Sequence, residues 1–163
     1  RDELQPGKRL VVIGAGFIGL EAAATARAKG CEVTVLEGLP APLIRGLGET
    51  MGRLVTRVHA DNGVEVRCNV RVESLVGGPS VSGVRIINEL GVSELVEADL
   101  VLVGIGVAPA TAWLGDSTLT IDDGIVCDAN LQCAPHVFAA GDVARWPNAL
   151  FSDIETTMRV EHW

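Results

Sequence analysis

The sequence lacks several features that would point to common functional classes. Its longest apolar stretches have the length of strands, so no segment is predicted to span a membrane. It has 13 basic residues against 21 acidic ones, and the net charge of −8 disfavours binding to nucleic acid or to an anionic membrane surface. The first residues, 1–8, do not have the pattern of a secretory signal peptide. A cytoplasmic location is therefore expected.

Cysteine is scarce, and its spacing matches no metal-binding pattern. The four cysteines include no C-x-x-C and no cysteine–histidine spacing typical of zinc; they are Cys31, Cys68, Cys127 and Cys133. Cys31 opens an expected strand, a position that favours a small buried hydrophobe over a reactive thiol. This usage indicates a reducing compartment, and no metal ligand is predicted.

The most informative feature present is a glycine-rich turn between a predicted strand and a predicted helix. The pattern comprises, in order, a β-branched strand at Arg9–Ile13, G-x-G-x-x-G at residues 14–19, an alanine-rich helix over Leu20–Lys29 closed by Gly30, and a strand over Cys31–Leu36 that ends at Glu37. The glycine motif alone is weak. The complete strand–turn–helix–strand order with a terminal acid predicts a dinucleotide-binding unit.

The glycines and the terminal acid each fit a role in dinucleotide binding. Gly14 permits the tight turn, Gly16 lets the backbone approach a pyrophosphate, and Gly19 lets the helix lie close to the strand. The helix N-terminus supplies free N–H groups and partial positive charge for the phosphates. Glu37, 18 residues after Gly19, is predicted to accept hydrogen bonds from both ribose hydroxyls. The predicted NAD(H)-binding residues here are Gly14, Ala15, Gly16, Phe17, Ile18, Gly19 and Glu37.

Glu37 also predicts which nucleotide is preferred. Its carboxylate would repel the 2′-phosphate of NADP(H). Residues 38–40 offer no arginine or lysine to offset that charge. The sequence therefore favours NAD(H), although a loop could carry Arg45, the next basic residue, back toward the acid.

The rest of the chain changes pattern twice. Residues 48–62 carry an apolar stripe typical of a helix: Met51, Leu54, Val55 and Val58. Next come a strand at Val64–Arg67, an antiparallel meander of three strands (Val70–Val76, Val81–Ile87, Ser93–Val96) and a buried strand from Asp99 into Gly104. After Pro109 we expect a hairpin over residues 119–127 and a brief strand at 137–140. No clear helix covers this stretch, which indicates that it packs against something absent from this chain.

These motifs, in this order, resemble the pyridine-nucleotide-dependent FAD oxidoreductases, and most closely the ferredoxin and rubredoxin reductases. The resemblance covers nearly the whole chain. The segments that carry it are Val12–Glu21, Asp99–Pro109, Asp123–Val126, Pro135–Asp142 and Arg159–Trp163. The last is the most specific, since its Arg-x-Glu-x-Trp is similar to ferredoxin reductases rather than to glutathione-reductase-like members. Cys133 departs from the family, which often has threonine there.

The resemblance implies further site residues. Glu21 should face the nicotinamide carboxamide, and Ile105 and Gly106 should line the nicotinamide side of the NAD pocket. The implied FAD-binding residues are Gly141, Asp142, Glu161, His162 and Trp163. No catalytic residue is predicted, because hydride transfer from NADH to flavin needs positioning rather than a protein acid.

The expected fold class is α/β. A Rossmann-like NAD(H)-binding domain (a parallel sheet, helices on both faces, the meander as crossover) should occupy residues 1–107. Residues 108–163 should form the C-terminal portion of a split FAD-binding domain, whose N-terminal FAD motif is missing. The chain thus resembles a piece of a longer enzyme, and alone it should neither hold FAD nor act as a reductase. Its open strand edges favour self-association.

The implied function is transfer of electrons from NADH through FAD to a ferredoxin or rubredoxin. An NADH oxidase, nitrite reductase or disulfide reductase of the same superfamily stays open. The absence of C-x-x-C excludes the thioredoxin-reductase-like branch. A nucleotide-binding module without redox chemistry is the other alternative, but the long segment after Gly106 argues against it.

Overall fold

The structure is a computed structural model that describes residues 2–148 and the backbone of residues 157–159. The chain divides into two compact units: an N-terminal unit, Arg1–Gly106, and a C-terminal unit, Val107–Trp163. In the part of the chain so described, no helix has both the length and the apolar character needed to cross a bilayer.

The N-terminal unit is built around a four-stranded parallel sheet. Its elements are β1 (Arg9–Ile13), α1 (Phe17–Ala28), β2 (Glu32–Leu36), α2 (Ile44–Asp61), β3 (Val64–Arg67) and, after a second sheet, β7 (Leu100–Val103). The strand order is β3-β2-β1-β7. Ile13 pairs with Leu36 on one side and with Val103 on the other, so β1, β2 and β7 end at the same edge. The residues that follow these strands are thereby brought side by side.

The second sheet confirms the predicted meander. Its strands are β4 (Arg71–Gly77), β5 (Val81–Ile87) and β6 (Ser93–Glu97), paired antiparallel in the order β4-β5-β6. These strands connect β3, at one end of the parallel sheet, to β7 at the other. Since β3 and β7 run parallel, a crossover is required, and here the meander provides it.

The two faces of the parallel sheet are covered by different structures. Side chains along a strand alternate between faces, so Val12 packs on one side and Val11 on the other. The Val12 side is covered by α1 through Leu20, Ala23 and Ala26, with Val55 of α2 packed against the same cluster. The Val11 side is covered by the meander through Val84, Ile86 and Val96. Each fully buried side chain of this kind contributes roughly 1.5–3 kcal/mol.

The α/β class with a Rossmann-like parallel sheet is confirmed, but the expectation of helices on both faces of that sheet is corrected. Residues of both helices of the N-terminal unit belong to the cluster on the Val12 side. The cluster on the other face contains strand and loop residues of the meander and no helical residue. The physical reason is that β5 and β6 together supply enough apolar side chains to cover this face, with Val84 and Ile86 fully buried and Val96 packed beside them.

Helix α2 is confirmed but is packed differently from what its apolar stripe suggested. It spans Ile44–Asp61, and the non-helical backbone at Gly48 separates a short first piece from the longer helix that the stripe predicts. Val55 is half-buried, whereas the other stripe residues are 46–50% exposed: Met51, Leu54 and Val58. The core-facing position is Gly52, where an added Cβ would lie 2.2 Å from the Pro42 carbonyl oxygen. At Gly52 the helix backbone therefore packs closely against the segment that precedes the helix.

The C-terminal unit consists of short strands. Its elements are a 3-10 turn (Ala112–Leu114), β8 (Ile125–Val126), β9 (Gln132–Ala134), β10 (Val137–Phe138), β11 (Ala144–Pro147) and β12 (Thr157–Arg159). They form two small sheets, β12-β11-β8 and β10-β9. The predicted hairpin is confirmed in reduced form, as a single bridge between Ile121 and Ile125. A small core holds Ile125, Cys127, Ala139 and Ala144.

An ion pair fastens the first and last strands of the parallel sheet. The Arg9 guanidinium donates to Asp99 through Nη2 at 2.8 Å and Nε at 3.2 Å, and the Arg9 backbone N–H donates to the same carboxylate at 2.9 Å. These hydrogen bonds hold the pKa of Asp99 well below its usual range. Glu97, which is more exposed, also pairs with Arg9.

We expect Asp99→Asn to lower the Tm at neutral pH by about 2–4 °C, which is the shift that a modest loss of unfolding free energy produces in a chain of this size. Because folding depresses the pKa of Asp99, its contribution is fully present above the unfolded value of about 3.9 and is lost as the pH falls below it. Thermal unfolding at a series of pH values should show the two proteins converging below about pH 4. Glu97→Gln is the matched control and should have a smaller effect. An Asp99→Asn difference as large at pH 3 as at pH 7 would contradict this assignment.

Candidate functional site

The site predicted from sequence forms at the carboxyl edge of the parallel sheet. Gly14, Glu37 and Gly104 directly follow β1, β2 and β7. The Gly14 N–H donates to the Leu36 carbonyl at 2.8 Å, and the Gly104 N–H donates to the Ile13 carbonyl at 2.7 Å. Open α/β sheets bind ligands at this edge. The structure therefore brings the glycine-rich turn, the acid after β2 and the residues after β7 together.

Two glycines of the motif are required by close backbone approach. Gly14 has φ of 99°, and an added Cβ would lie 2.4 Å from the Gly104 carbonyl oxygen. A Cβ on Gly19 would lie 2.1 Å from the Gly14 carbonyl oxygen and 3.3 Å from Cγ1 of Val12. Neither position has room for a side chain. Together they let α1 begin directly against β1 and β7.

Gly16 differs, because the space beside it is open. It is the N-cap of α1 with ordinary extended backbone, and an added Cβ would meet no atom within 4 Å. No side chain caps the helix, and its first turn holds no acidic residue. The amino end of a helix carries unpaired N–H groups and about half a positive charge. This cradle fits a phosphate group, which the backbone can approach without obstruction.

Glu37 is anchored more firmly than the sequence suggested. Its Oε2 accepts a hydrogen bond from the Ala15 N–H at 2.8 Å, and its Oε1 accepts one from the Leu39 N–H at 2.9 Å. A carboxylate has about four acceptor positions, so roughly two stay available for a ligand. Glu37 therefore does two things at once: it holds the glycine-rich turn against the end of β2, and it presents negative charge beside that turn.

Cys68 is a neighbour of Glu37 to which sequence reasoning gave no role. Leu36 pairs with Arg67, so the residues that follow them, Glu37 and Cys68, are adjacent at the sheet edge. Burial raises the pKa of the Cys68 thiol, and the charge of Glu37 raises it further. The signal available in the sequence was its position directly after the third strand.

The other predicted NAD(H)-binding residues surround this edge and are accessible. Phe17 and Ile18 open α1 with exposed fractions of 59% and 75%, and Ile105 follows β7 at 72%. Glu21, one turn into α1, and Gly106 are also exposed. Large apolar side chains at the mouth of a polar cradle are typical of surfaces that bind ligands.

The residues assigned to FAD are only partly described. Gly141, with φ of 79°, and Asp142 lie on the surface of the C-terminal unit. Glu161, His162 and Trp163 lie outside the described residues. Across residues 2–148, no three His, Cys, Asp or Glu side chains gather where they could hold a metal ion.

A groove of about 460 Å³ lies elsewhere, towards the far end of α1 from the glycine-rich turn. None of the predicted site residues lines it. Its walls come from α1, α2 and the segments after them: Ala24, Arg27, Ala28, Gly30, Val58, His59, Asn62 and Val64. His59 is half-buried there, with Nδ1 3.0 Å from the Val55 carbonyl and Nε2 3.4 Å from the Leu20 carbonyl. This arrangement is typical of a packing residue.

Comparison with known proteins identifies the family of this chain. Residues 1–162 match the family described as pyridine nucleotide-disulphide oxidoreductase. The chain belongs to that family. The resemblance read from the glycine motif and the later segments is thereby confirmed.

Among known proteins, this chain is similar to two that are named as reductases. Rhodocoxin reductase of Rhodococcus erythropolis is 38% identical over 85% of this chain and 32% of its own length. The ferredoxin–NAD(+) reductase component of the p-cumate 2,3-dioxygenase system of Pseudomonas putida is 37% identical over 96% of this chain and 38% of its own length. This chain thus spans less than two fifths of these relatives.

A solved structure shows the same relation. The covalent complex of putidaredoxin reductase with putidaredoxin contains a chain that superposes with a TM-score of 0.87 at 32% identity. The match covers 98% of this chain and 38% of that one. This chain therefore shares its fold with a chain of that complex over nearly its whole length.

Proposed function

We propose that this chain is the NADH-binding part of a reductase that passes electrons from NADH through FAD to a ferredoxin or rubredoxin in the cytoplasm. The N-terminal unit would bind NADH, and residues 108–163 would contribute one edge of the FAD site. The observation that carries this proposal is the open cradle at Gly16 beside the anchored carboxylate of Glu37.

The residues of the cradle have distinct proposed roles. The Gly16 backbone and the amino end of α1 bind the pyrophosphate, which needs close backbone approach and positive charge. The remaining acceptor positions of Glu37 bind the ribose hydroxyls and repel a 2′-phosphate. Ile105 and Gly106, on the β7 side of Gly14, position the nicotinamide, with Glu21 toward its carboxamide.

The FAD role rests on fewer residues. Gly141 lets the chain turn, and the exposed Asp142 carboxylate follows it, where it can accept a hydrogen bond from a ribityl hydroxyl. The proposed contribution of Glu161, His162 and Trp163 rests on the Arg-x-Glu-x-Trp sequence alone. When bound, the two cofactors supply the redox chemistry, hydride transfer and then single-electron release. The chain's residues supply position and charge.

The proposed partner follows from the relatives. One relative is named as a ferredoxin reductase of a dioxygenase system, and a similar structure is a complex with putidaredoxin. We infer that the longer enzyme donates electrons to a small iron–sulfur protein of this kind.

Calorimetric titration of the chain with NADH and with NADPH tests the nucleotide site directly. We expect NADH to bind at least about tenfold more tightly, which is a difference of 1.4 kcal/mol. The physical reason is repulsion between the Glu37 carboxylate and the 2′-phosphate. Equal or tighter binding of NADPH would overturn the assignment of Glu37, and absence of binding by either nucleotide would overturn the proposed site.

A further inference from the structure

The C-terminal unit holds two cysteines on opposite sides of a tight turn. The turn is closed by the Asp128 N–H, which donates to the Gln132 carbonyl at 2.9 Å. The Asp128 carboxylate also accepts from the backbone N–H groups of Asn130 and Gln132, at 2.8 and 2.9 Å. Because residues 128 and 132 pair across the turn, the residues one step outward, Cys127 and Cys133, face each other.

The side chains of these cysteines also meet. Cys127 is buried in the small core of the C-terminal unit, and Cys133 is half-buried against the same cluster. Burial raises the pKa of the Cys127 thiol, and the neighbouring Cys133 raises it further. The remaining cysteines, Cys31 and Cys68, belong to the N-terminal unit. All four are free thiols in the structure.

We propose that Cys127 and Cys133 are an oxidant-responsive dithiol that closes to a disulfide by exchange with a small-molecule disulfide. Two backbone hydrogen bonds close the turn, from the Asp128 N–H to the Gln132 carbonyl and from the Leu131 N–H to the Asp128 carbonyl, and they hold the flanking residues Cys127 and Cys133 near each other. A disulfide needs Cα atoms about 4.4–6.8 Å apart, a spacing that residues flanking such a turn reach with little backbone movement. This site is independent of the nucleotide site and of the proposed function.

The exchange proceeds in two steps that balance. Cys133, the more exposed thiol, loses its proton and attacks one sulfur of the oxidant, which releases one equivalent of thiol and leaves a mixed disulfide on Cys133. Cys127 then loses its proton and attacks the Cys133 sulfur, which releases the second equivalent of thiol. The oxidant disulfide is reduced by two electrons, and the Cys127–Cys133 pair is oxidised by two.

The test is incubation of the full 163-residue chain with oxidised glutathione under native conditions, followed by thiol titration and peptide mass mapping. We expect the thiol count to fall from four to two and the protein to become two hydrogen atoms lighter. The mapped cross-link should join Cys127 to Cys133. No thiol loss, another cysteine pair, or a stable glutathione adduct on Cys133 would overturn the proposal.

Variants separate the two steps. Cys127→Ser removes the second thiol, so one glutathione should stay attached to Cys133. Cys133→Ser leaves only the buried thiol of the pair, Cys127, which should stay reduced. Cys68→Ser is the matched control and should still form the cross-link. The wild-type experiment alone decides whether Cys127 and Cys133 form a disulfide, so the proposal can be tested even if a variant fails to fold. Loss of the cross-link in Cys68→Ser would overturn the pairing.

Discussion

Replacing Gly16 by valine should leave the fold intact and lower the affinity for NADH about a hundredfold or more. The backbone at Gly16 is extended, with φ of −76°, and an added Cβ would meet no atom within 4 Å, so the fold has room for a side chain at this position. That side chain would occupy the space in which the pyrophosphate is proposed to lie. Loss of a glycine N-cap in favour of valine costs only about 1 kcal/mol of stability. Calorimetry with NADH and thermal unfolding measure the two effects separately.

Gly19→Ala is the matched comparison, since it should damage the fold itself. The new Cβ would lie 2.1 Å from the Gly14 carbonyl oxygen, which is backbone and cannot rotate away. Overpacking of this kind costs roughly 1–3 kcal/mol or more, which exceeds the gain of about 1 kcal/mol from the better helix propensity of alanine. We expect a clear fall in Tm together with loss of NADH binding. A Gly16→Val protein that binds NADH normally would contradict the placement of the pyrophosphate.

Glu37→Ala should weaken NADH binding by about 1–3 kcal/mol, which is roughly 5- to 150-fold, and should abolish the preference over NADPH. The substitution removes the proposed acceptor for the ribose hydroxyls and the charge that repels a 2′-phosphate. It also leaves the N–H groups of Ala15 and Leu39 without their partner, so the Tm should fall as well. Titration with both nucleotides, together with thermal unfolding, measures all three effects.

Two further variants separate the charge of Glu37 from its structural contacts. Glu37→Gln keeps one oxygen acceptor for the glycine-rich turn but carries no charge, so discrimination against NADPH should fall with a smaller loss of stability. Glu32→Ala removes an exposed acid at the start of the same strand and should change neither affinity. An undiminished preference for NADH in Glu37→Gln would show that the carboxylate charge does not set specificity.

Much of the N-terminal unit could be predicted because its signals are local. The strand at Arg9–Ile13 was predicted with the bounds that the structure has, and the meander strands within one residue. The glycine motif could be interpreted because the need for each glycine is set by a neighbour close in sequence or by a strand that must end beside it. Gly14 and Gly19 confirm that logic, since a Cβ on either would strike backbone.

The remaining features depend on partners distant in sequence, which local patterns do not reveal. The stripe of α2 predicted a helix, but it did not reveal that Gly52 packs against the backbone of Pro42 while most of the larger stripe residues stay exposed. The packing of the meander on one face of the parallel sheet also could not be predicted. The alternating apolar residues of β5 predict a strand with one buried face, but they do not show which other element covers that face.

The pairing of β1 with β7 has a consequence for the order in which the protein folds. Leu10 pairs with Leu100, whereas Leu10 and its other partner, Val33, are joined by a single strand–helix unit. Closing the longer loop costs more chain entropy, and contacts between distant residues slow folding. We therefore expect β1, α1 and β2 to associate early and β7 to join last. During synthesis, the wall that Gly104 forms behind Gly14 is then absent until the meander has been made, so nucleotide binding should report completed folding of the N-terminal unit.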